Sequence, residues 1–339
     1  MFKMEKSYII SEIGNNHNGN LEKAIQLIDE SFNAGVDAVK FQTFRGIDIV
    51  SPKVKADEYK GWDVKGFEFW YQFLDTIALK LEDHQAVIDY TNSKGIDFIT
   101  TPTSPYIVDF LETLKGIKAY KVASMDLNNI PLLQAIAKTD KEVIMSTGMG
   151  DMIDITRAVE ILKNKKLSIL HCVSDYPLDP SKAYLNNIIE LKNCFPNYDI
   201  GFSDHSLGHE LCIAARCLGA MIFEKHITLD RKDPNPAEHH FALEPNEFKV
   251  LVNWLKHIDN NLNSEGFLRS ENEKINKFKY RRSYHYKHDL NCGAIITIED
   301  LALVRPSDGI SDNDLDKVCG KSLIVNVKAF DPCLISDIV

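Results

Sequence analysis

Apolar and polar positions alternate along most of the chain in two rhythms. Short β-branched or aromatic runs give way to longer stretches with helical spacing, and the pair then repeats. The β-type runs predict strands at 8–13, 36–42, 96–100, 119–122, 142–146, 167–171, 198–202 and 221–224. Helical periodicity follows them, as at 21–33, 106–114, 130–138, 153–164, 207–218 and 247–260. Eight strands with eight crossovers in roughly 250 residues predict an α/β fold, a (β/α)8 TIM barrel over residues 1–263. An open doubly wound sheet would call for a glycine-rich GxGxxG turn after the first strand, and none is there. The 44–67 stretch after strand two is long and carries Pro52, Gly61, Trp62 and Gly66. It reads equally as a substrate-shaping loop or as a surface insertion. The pattern changes after 263. Residues 264–280 are polar and charged and read as a linker, helical in part. Residues 281–339 hold short β-type runs (AIITI, LALVRP, SLIVNV) broken by NCG, PSDG and FDP turns. They predict a small β-rich domain with a thin core.

Composition narrows the class. The chain has 339 residues, 44% hydrophobic and 26% charged, with a net charge of −10. That balance suits a globular enzyme and argues against nucleic-acid binding, which needs a basic surface. No run is apolar and long enough to cross a membrane, and the first residues lack the pattern of a secretory signal. Seven cysteines with no CxxC spacing predict buried, reduced thiols and a cytoplasmic protein.

Candidate chemistry collects at the predicted C-terminal ends of the strands, where a barrel of this kind places its reacting groups. The runs DIGFSDH and AMIFEKH each end in a histidine, His205 and His226, and one helix-length segment separates them. A strand–helix–strand unit sets its strands parallel, so both imidazoles face one rim and form half a site for a divalent metal. The plainer alternative is that one caps a strand while the other packs on a helix. Lys121, with Thr101, Ser124, Ser146 and Ser203 from neighbouring strands, offers a cation and several hydroxyls, which suits a phosphate monoester. Turn and cap duty is the ordinary role for any one of those hydroxyls. Glu12, Asp126 and Glu238 supply carboxylates for acid–base work or for sugar hydroxyls. Strand ends also deliver Lys40, Gln42, Thr100, His171, Ser174, Tyr176, Asp204 and Lys225.

Taken in order, YIISEIGNNHNG, VKFQT, TTP, the K-x-x-S of strand four, STGM, HCVSDYP, GFSDHSLG, FEKHITLD and ALEPNEF resemble the sialic acid synthase family. The tail, with RRS at 281–283 and VRPSDGIS at 304–311, resembles its antifreeze-like (SAF) domain. The match spans essentially the whole chain. It implies condensation of phosphoenolpyruvate with N-acetylmannosamine or a related acetamido sugar, giving a nine-carbon 2-keto acid and phosphate. By position it implies His205 and His226 as ligands of a divalent metal, manganese first and magnesium or cobalt as alternatives. Lys121, Thr101, Ser124, Ser146, Ser174 and Ser203 match phosphoenolpyruvate contacts. Glu12, Gln42, Asp126, Tyr176 and Glu238 match groups facing the sugar or the reacting carbons, and the implied catalytic set is Glu12, Lys121, Asp126 and His226. Arg305 matches an arginine inserted by the small domain of a partner subunit, which implies a domain-swapped homodimer.

The chain departs from the family pattern near the sugar. Ser124-Met125-Asp126 stands for Ser-Gly-Glu, Glu238 for an aspartate, Ser174 for a frequent asparagine, and Phe241 for a small residue. These departures leave the reaction in place and open the choice of sugar. A legionaminic- or pseudaminic-type substrate is the alternative, in a pocket reshaped by Phe241. Lys121 at a strand end also keeps a metal-free Schiff-base pyruvate lyase in view.

Overall fold

The eight β-type runs close into one parallel barrel, in the order β1 to β8 and back to β1. We describe it from a computed structural model of the chain that covers residues 5–58, 64–234, 238–262 and 266–339. The strands are β1 (Tyr8–Gly14), β2 (Ala38–Thr43), β3 (Asp97–Pro102), β4 (Ile117–Val122), β5 (Glu142–Ser146), β6 (Leu167–Cys172), β7 (Asp199–Asp204) and β8 (Ile222–His226). Their helices are α1 (Leu21–Ala34), α2 (Gly46–Ile49), α3 (Trp70–Ile77), α4 (His84–Ser93), α5 (Pro105–Leu111), α6 (Ile130–Ala137), α7 (Met152–Leu162), α8 (Asn186–Cys194), α9 (Glu210–Cys217) and α10 (Pro245–Leu262). None of the described helices is long and apolar enough to cross a membrane.

Strand parity builds the barrel in layers. Residues two apart share a face, so one set points inward and the other against the helices. The outward set (Ile9, Phe41, Phe98, Tyr120, Phe202, Phe223) packs on helix residues such as Leu27, Ile88, Leu133 and Leu251 to make the main core. Burying one such aromatic contributes about 1.5–3 kcal/mol. The lowest inward layer is a second apolar cluster of Ile10, Ala38, Ile99, Ala119, Ile144, Leu170 and Ile222. It plugs the barrel floor. Two residues further along each strand the inward positions turn polar, and there the site begins.

The described part of 44–67 is packed. Phe44, Trp70, Phe73 and Ile77 form a buried cluster joined by Ile49, Val50, Val54, Val64 and Phe67. Gly61 and Trp62, which contributed to the loop expectation, lie outside the described residues. The thiol expectation needs correction: all seven cysteines are free, but only Cys172, Cys212 and Cys333 are buried, and Cys194, Cys217 and Cys292 are exposed.

The chain divides into two compact units, Met1–Asn263 and Ser264–Val339. The second begins, within the expected linker, with helix α11 (Glu271–Tyr280), capped by Ser270. An antiparallel pair follows, β9 (Ser283–Tyr286) and β10 (Leu301–Val304), with a one-turn helix α12 (Leu315–Val318). Tyr286, Ile296, Leu301, Val318, Leu323 and Cys333 make its core.

Candidate active site

Above the apolar floor, Glu12, Lys40, Thr101, Lys121, Ser146, Cys172, Ser203 and Glu224 line one cavity of about 330 Å³, together with Gln42, Ser124, Ser174, Tyr176, His205, His226 and Glu238 from the rim. A larger cavity of about 590 Å³ opens beside it between α7 and α8. Its lining mixes apolar residues such as Met152, Ile155 and Leu191 with Asp151 and Glu190, and among the described residues it includes no lysine or arginine. The smaller cavity is therefore the one suited to an anionic substrate.

Buried charges organise its floor. Lys40 Nζ lies 2.8 Å from Glu12 Oε2 and 3.7 Å from Glu224 Oε1, while Lys121 Nζ lies 3.8 Å from Glu224 Oε2. Burial works against the Lys40 ammonium, but Glu12 and Glu224 reverse this and hold it above its ordinary value. Burial would raise Glu224, yet Lys121 and Lys40 keep it low. For Lys121 burial wins and pulls the amine down. Burial and then the Glu12 charge push Glu238 up to about 7. The floor is a charge network with two cations and two carboxylates, each costly to bury alone.

The hydroxyls are pre-aimed. Lys40 Nζ donates to Thr101 Oγ1 at 3.2 Å, leaving the Thr101 proton to point onward. The Gly148 N–H donates to Ser124 Oγ at 3.0 Å and does the same for that hydroxyl. A Cβ at Gly148 would lie 2.4 Å from Ser174 Oγ and 2.8 Å from Ser124 Oγ, so only glycine lets the β5 turn approach them. Ser203 Oγ instead donates to Glu224 Oε1 at 3.1 Å. Among the described residues, Ser146 Oγ, Ser174 Oγ and Glu224 Oε2 are buried with no hydrogen-bond partner. Buried polar atoms of this kind ordinarily pair, and here they line one cavity.

At the rim, β7 and β8 run in register, with Asp204 opposite Lys225, so the next residues, His205 and His226, stand side by side. Their ring centres are 5.5 Å apart. The Nδ1 of His205 is committed to the Val173 carbonyl at 3.0 Å, which presents Nε2 to the cavity. Burial and surrounding positive charge hold His226 well below its ordinary value, as a neutral ring. Its Nδ1 is 3.4 Å from Glu238 Oε2, and neither atom has a hydrogen-bond partner among the described residues. No three His, Cys, Asp or Glu side chains among the described residues form a cage for a metal. Two neighbouring imidazoles are a donor set that fits a divalent ion, and His205 and His226 are the residues that would hold it.

The NeuB family profile matches residues 27–266, and the SAF domain profile matches residues 281–339. The chain belongs to the NeuB family. Within it, the chain is 34% identical over 330 residues to the N,N'-diacetyllegionaminic acid synthase of Campylobacter jejuni, covering 96% of this chain and 98% of that protein. It is 31% identical to the pseudaminic acid synthase of the same species, covering 96% and 95%. The crystal structure of N-acetylneuraminic acid synthetase from Leptospira borgpetersenii superposes with a TM-score of 0.69 at 31% identity, covering 80% of this chain and 90% of that one.

In this NeuB member the structure gathers Glu12, Gln42, Thr101, Lys121, Ser124, Ser146, Ser174, Tyr176, Ser203, His205, His226 and Glu238 around the one cavity. Asp126 does not line it. Its carboxylate is buried in the Ser124–Asp126 turn, where Oδ1 accepts from Asn129 Nδ2 at 2.9 Å and Oδ2 has no hydrogen-bond partner among the described residues. Arg305 belongs to the second unit. Lys121 is not the hub of the serines: its Nζ donates to the Val122 carbonyl at 3.3 Å, and Lys40 is the cation that reaches a hydroxyl. Thr100, His171, Asp204 and Lys225 have the other parity and face the helices. Lys225 Nζ pairs with Asp204 Oδ2 at 2.8 Å, and Thr100 Oγ1 meets Thr43 Oγ1 at 2.6 Å.

Phe241 also corrects an expectation. It is 1% exposed and does not line the cavity. Its ring backs His226 edge-on at 4.9 Å, His205 edge-on at 6.0 Å and Tyr176 at 5.6 Å. It supports the imidazoles rather than reshaping the pocket. The sequence reading left out Glu224 and Cys172 and gave Lys40 no role. A count of two back from His226, Ser174 and Gln42 along each strand finds all three.

Proposed function

We propose that this NeuB-family enzyme condenses phosphoenolpyruvate with an open-chain acetamido sugar to give a nine-carbon 2-keto acid and phosphate. The carrying observation is one cavity that sets two neighbouring imidazoles above a buried layer of two lysines and two glutamates. Relatives named as legionaminic and pseudaminic acid synthases support the sugar class.

The side chains divide the work. Lys40 and Lys121 meet the negative charge of the enol phosphate, and Thr101, Ser124, Ser146 and Ser174 bond its oxygens. Two cations and preset hydroxyls fix the enol carbon in one place, which removes much of the entropy barrier of a two-substrate step. A divalent ion on His205 and His226, manganese by preference, would supply Lewis-acid polarisation of the sugar aldehyde. When C3 of the enol attacks that carbon, positive charge develops at C2, and the fixed carboxylate of Glu12 offsets it. Water then adds at C2. Glu238, held near neutrality, takes up its proton at Oε2. Glu238 then returns that proton to the alkoxide left on the sugar. The C2 hydroxyl passes its own proton to the departing phosphate as the C2–O bond breaks, leaving the ketone, with Lys121 stabilising the leaving group. Gln42 Nε2 donates to Glu12 Oε1 at 3.0 Å and holds it in place. Arg305, from the small domain of a partner in a swapped dimer, completes the substrate contacts.

Mass spectrometry after incubation with phosphoenolpyruvate, manganese and a panel of acetamido sugars tests this, with phosphate release followed alongside. A nine-carbon 2-keto acid formed with one equivalent of phosphate, and lost on chelation, is the expected result. No product from any sugar, or turnover untouched by a chelator, overturns it. One observation favours a second reading: burial lowers Lys121, as a Schiff-base lysine requires. Borohydride reduction in the presence of pyruvate separates the two, since covalent trapping at Lys121 would establish the lyase.

A further inference from the structure

The second unit holds a cluster of buried polar side chains that the reading above leaves unused. Ser283, the first residue of β9, is 1% exposed. Its Oγ donates to the Pro306 carbonyl at 2.8 Å and accepts from the Gly309 N–H at 2.8 Å. Two residues on, and so on the same face of β9, His285 is buried, and its Nε2 lies 2.7 Å from Asp308 Oδ1. A Cβ at Gly309 would sit 2.3 Å from the Tyr284 carbonyl, so only glycine brings the loop this close to the strand. From the other side, the Ser307 N–H donates to the Phe278 carbonyl of α11 at 2.9 Å. Residues 306, 307, 308 and 309 are each tied down. Arg305, which opens the loop, is exposed, with its guanidinium 5.6 Å from the centre of the Tyr280 ring.

A surface connection needs none of this, because loop backbones are ordinarily satisfied by water. Two buried polar side chains spent on one short loop fix its shape before any ligand arrives. A guanidinium on a free loop would lose backbone and side-chain freedom on docking, and that loss weakens binding. We propose that Ser283 and His285 are positioning residues for Arg305, clamping 305–309 so that the arginine is presented in one preset arrangement. This rests on the reading of Arg305 as a substrate contact. It also gives one physical reason for the two tail motifs: RRS supplies the pin, and RPSDG is the loop it holds.

A double-mutant cycle on the full-length enzyme tests it. Ser283→Ala and Asp308→Asn should each lower kcat/KM at least fivefold, with most of the change in KM. In an Arg305→Ala background neither should lower it further. Asp308 is 36% exposed, so its isosteric variant guards against a folding artefact. Amide exchange adds a readout that activity does not supply: Gly309 should exchange faster in Ser283→Ala while Tyr286 in β9 keeps its protection. Losses that multiply in the double variants overturn the proposal, as do single variants with wild-type kcat/KM beside an impaired Arg305→Ala. If Arg305→Ala is itself fully active, the substrate-contact reading fails and the clamp loses its purpose with it.

Discussion

His17, in the loop after β1, shows how burial sets a protonation state. The ring is fully buried, stacks on Phe41 with centres 5.7 Å apart, and accepts from the Gly19 N–H at 3.0 Å. Burial first, and then the His84 charge, pull it down to about 4. The unfolded chain therefore binds this proton more readily than the folded one between about pH 6.5 and pH 4. Stability is complete above that window and falls as pH drops through it, by as much as about 3 kcal/mol. Urea denaturation across the window should show the decline, and the His17 ring signals should not titrate above pH 5 by NMR. A ring that titrates near 6.5 would show that the loop admits water. Phe241 acts on its neighbours through shape instead. Each edge-to-face contact contributes about 0.5–1.5 kcal/mol, and Phe241 makes two with the imidazoles. Phe241→Leu keeps bulk but removes the ring, and should weaken manganese binding about tenfold in an electron paramagnetic resonance titration. The KM for phosphoenolpyruvate, which the proposed mechanism assigns to Lys40, Lys121 and the hydroxyls, should hold. A changed sugar preference with unchanged metal affinity would return Phe241 to the pocket wall.

At the scale of elements, the strands carry most of what the sequence reveals. Each of the eight β-type runs before residue 263 became a barrel strand because alternation over a closed sheet leaves each run one way to face. What lies just past a strand end was therefore legible, and His205 beside His226 follows from register alone. What lies inside a strand end was read only in part. Glu12, Thr101, Lys121 and Ser203 stand out, but Glu224, Cys172 and the role of Lys40 do not, because polar residues there look alike whichever way they point. Glu224 and Lys225 are adjacent, yet one faces the cavity and the other pairs with Asp204 against α9. Only parity counted from a neighbour of known facing separates them. Phe241 was illegible for a different reason: its partners come from β7, β8 and the turn after β6, and no local pattern reports them. Helix ends are more local. Asp151 caps α7 by accepting from the Ile153 and Asp154 N–H groups at 2.8 and 2.9 Å, and Asp154 reciprocates. Asp151→Ala should cost about 1 kcal/mol, or a fall of about 2–4 °C in Tm by calorimetry. Since Asp151 does not line the charged cavity, kcat/KM should stay within about twofold. A large loss of activity would show that α7 also places the Gly148 turn.

For the whole molecule, the proposed contact of Arg305, on the small unit, with substrate has two consequences, one about charge and one about subunits. The two units have separate cores and separate sheets. The barrel cavity already contains Lys40 and Lys121, but both are committed to carboxylates on the floor. Bound as a trianion, phosphoenolpyruvate brings more negative charge than those partly neutralised lysines offset, so a further cation at the rim improves the balance. An arginine suits that place because its planar fork can bond a carboxylate or a phosphate with two hydrogen bonds at once. If Arg305 reaches the barrel of a partner subunit, one defective copy can rescue another. Barrels carrying His226→Ala lose the rim donor, and small units carrying Arg305→Ala lose the cation. The His226→Ala homodimer should be inactive, and the Arg305→Ala homodimer should keep only a small residual activity. After the two are mixed, unfolded and refolded together, half of the dimers are mixed, and one of their two sites has both an intact barrel and an intact arginine. About a quarter of wild-type activity should return, read as phosphate release per subunit. If the arginine acts within its own chain, every site in the mixture keeps one defect and activity stays at the Arg305→Ala residual level. Refolded homodimers of each variant, run alongside, exclude recovery by refolding alone.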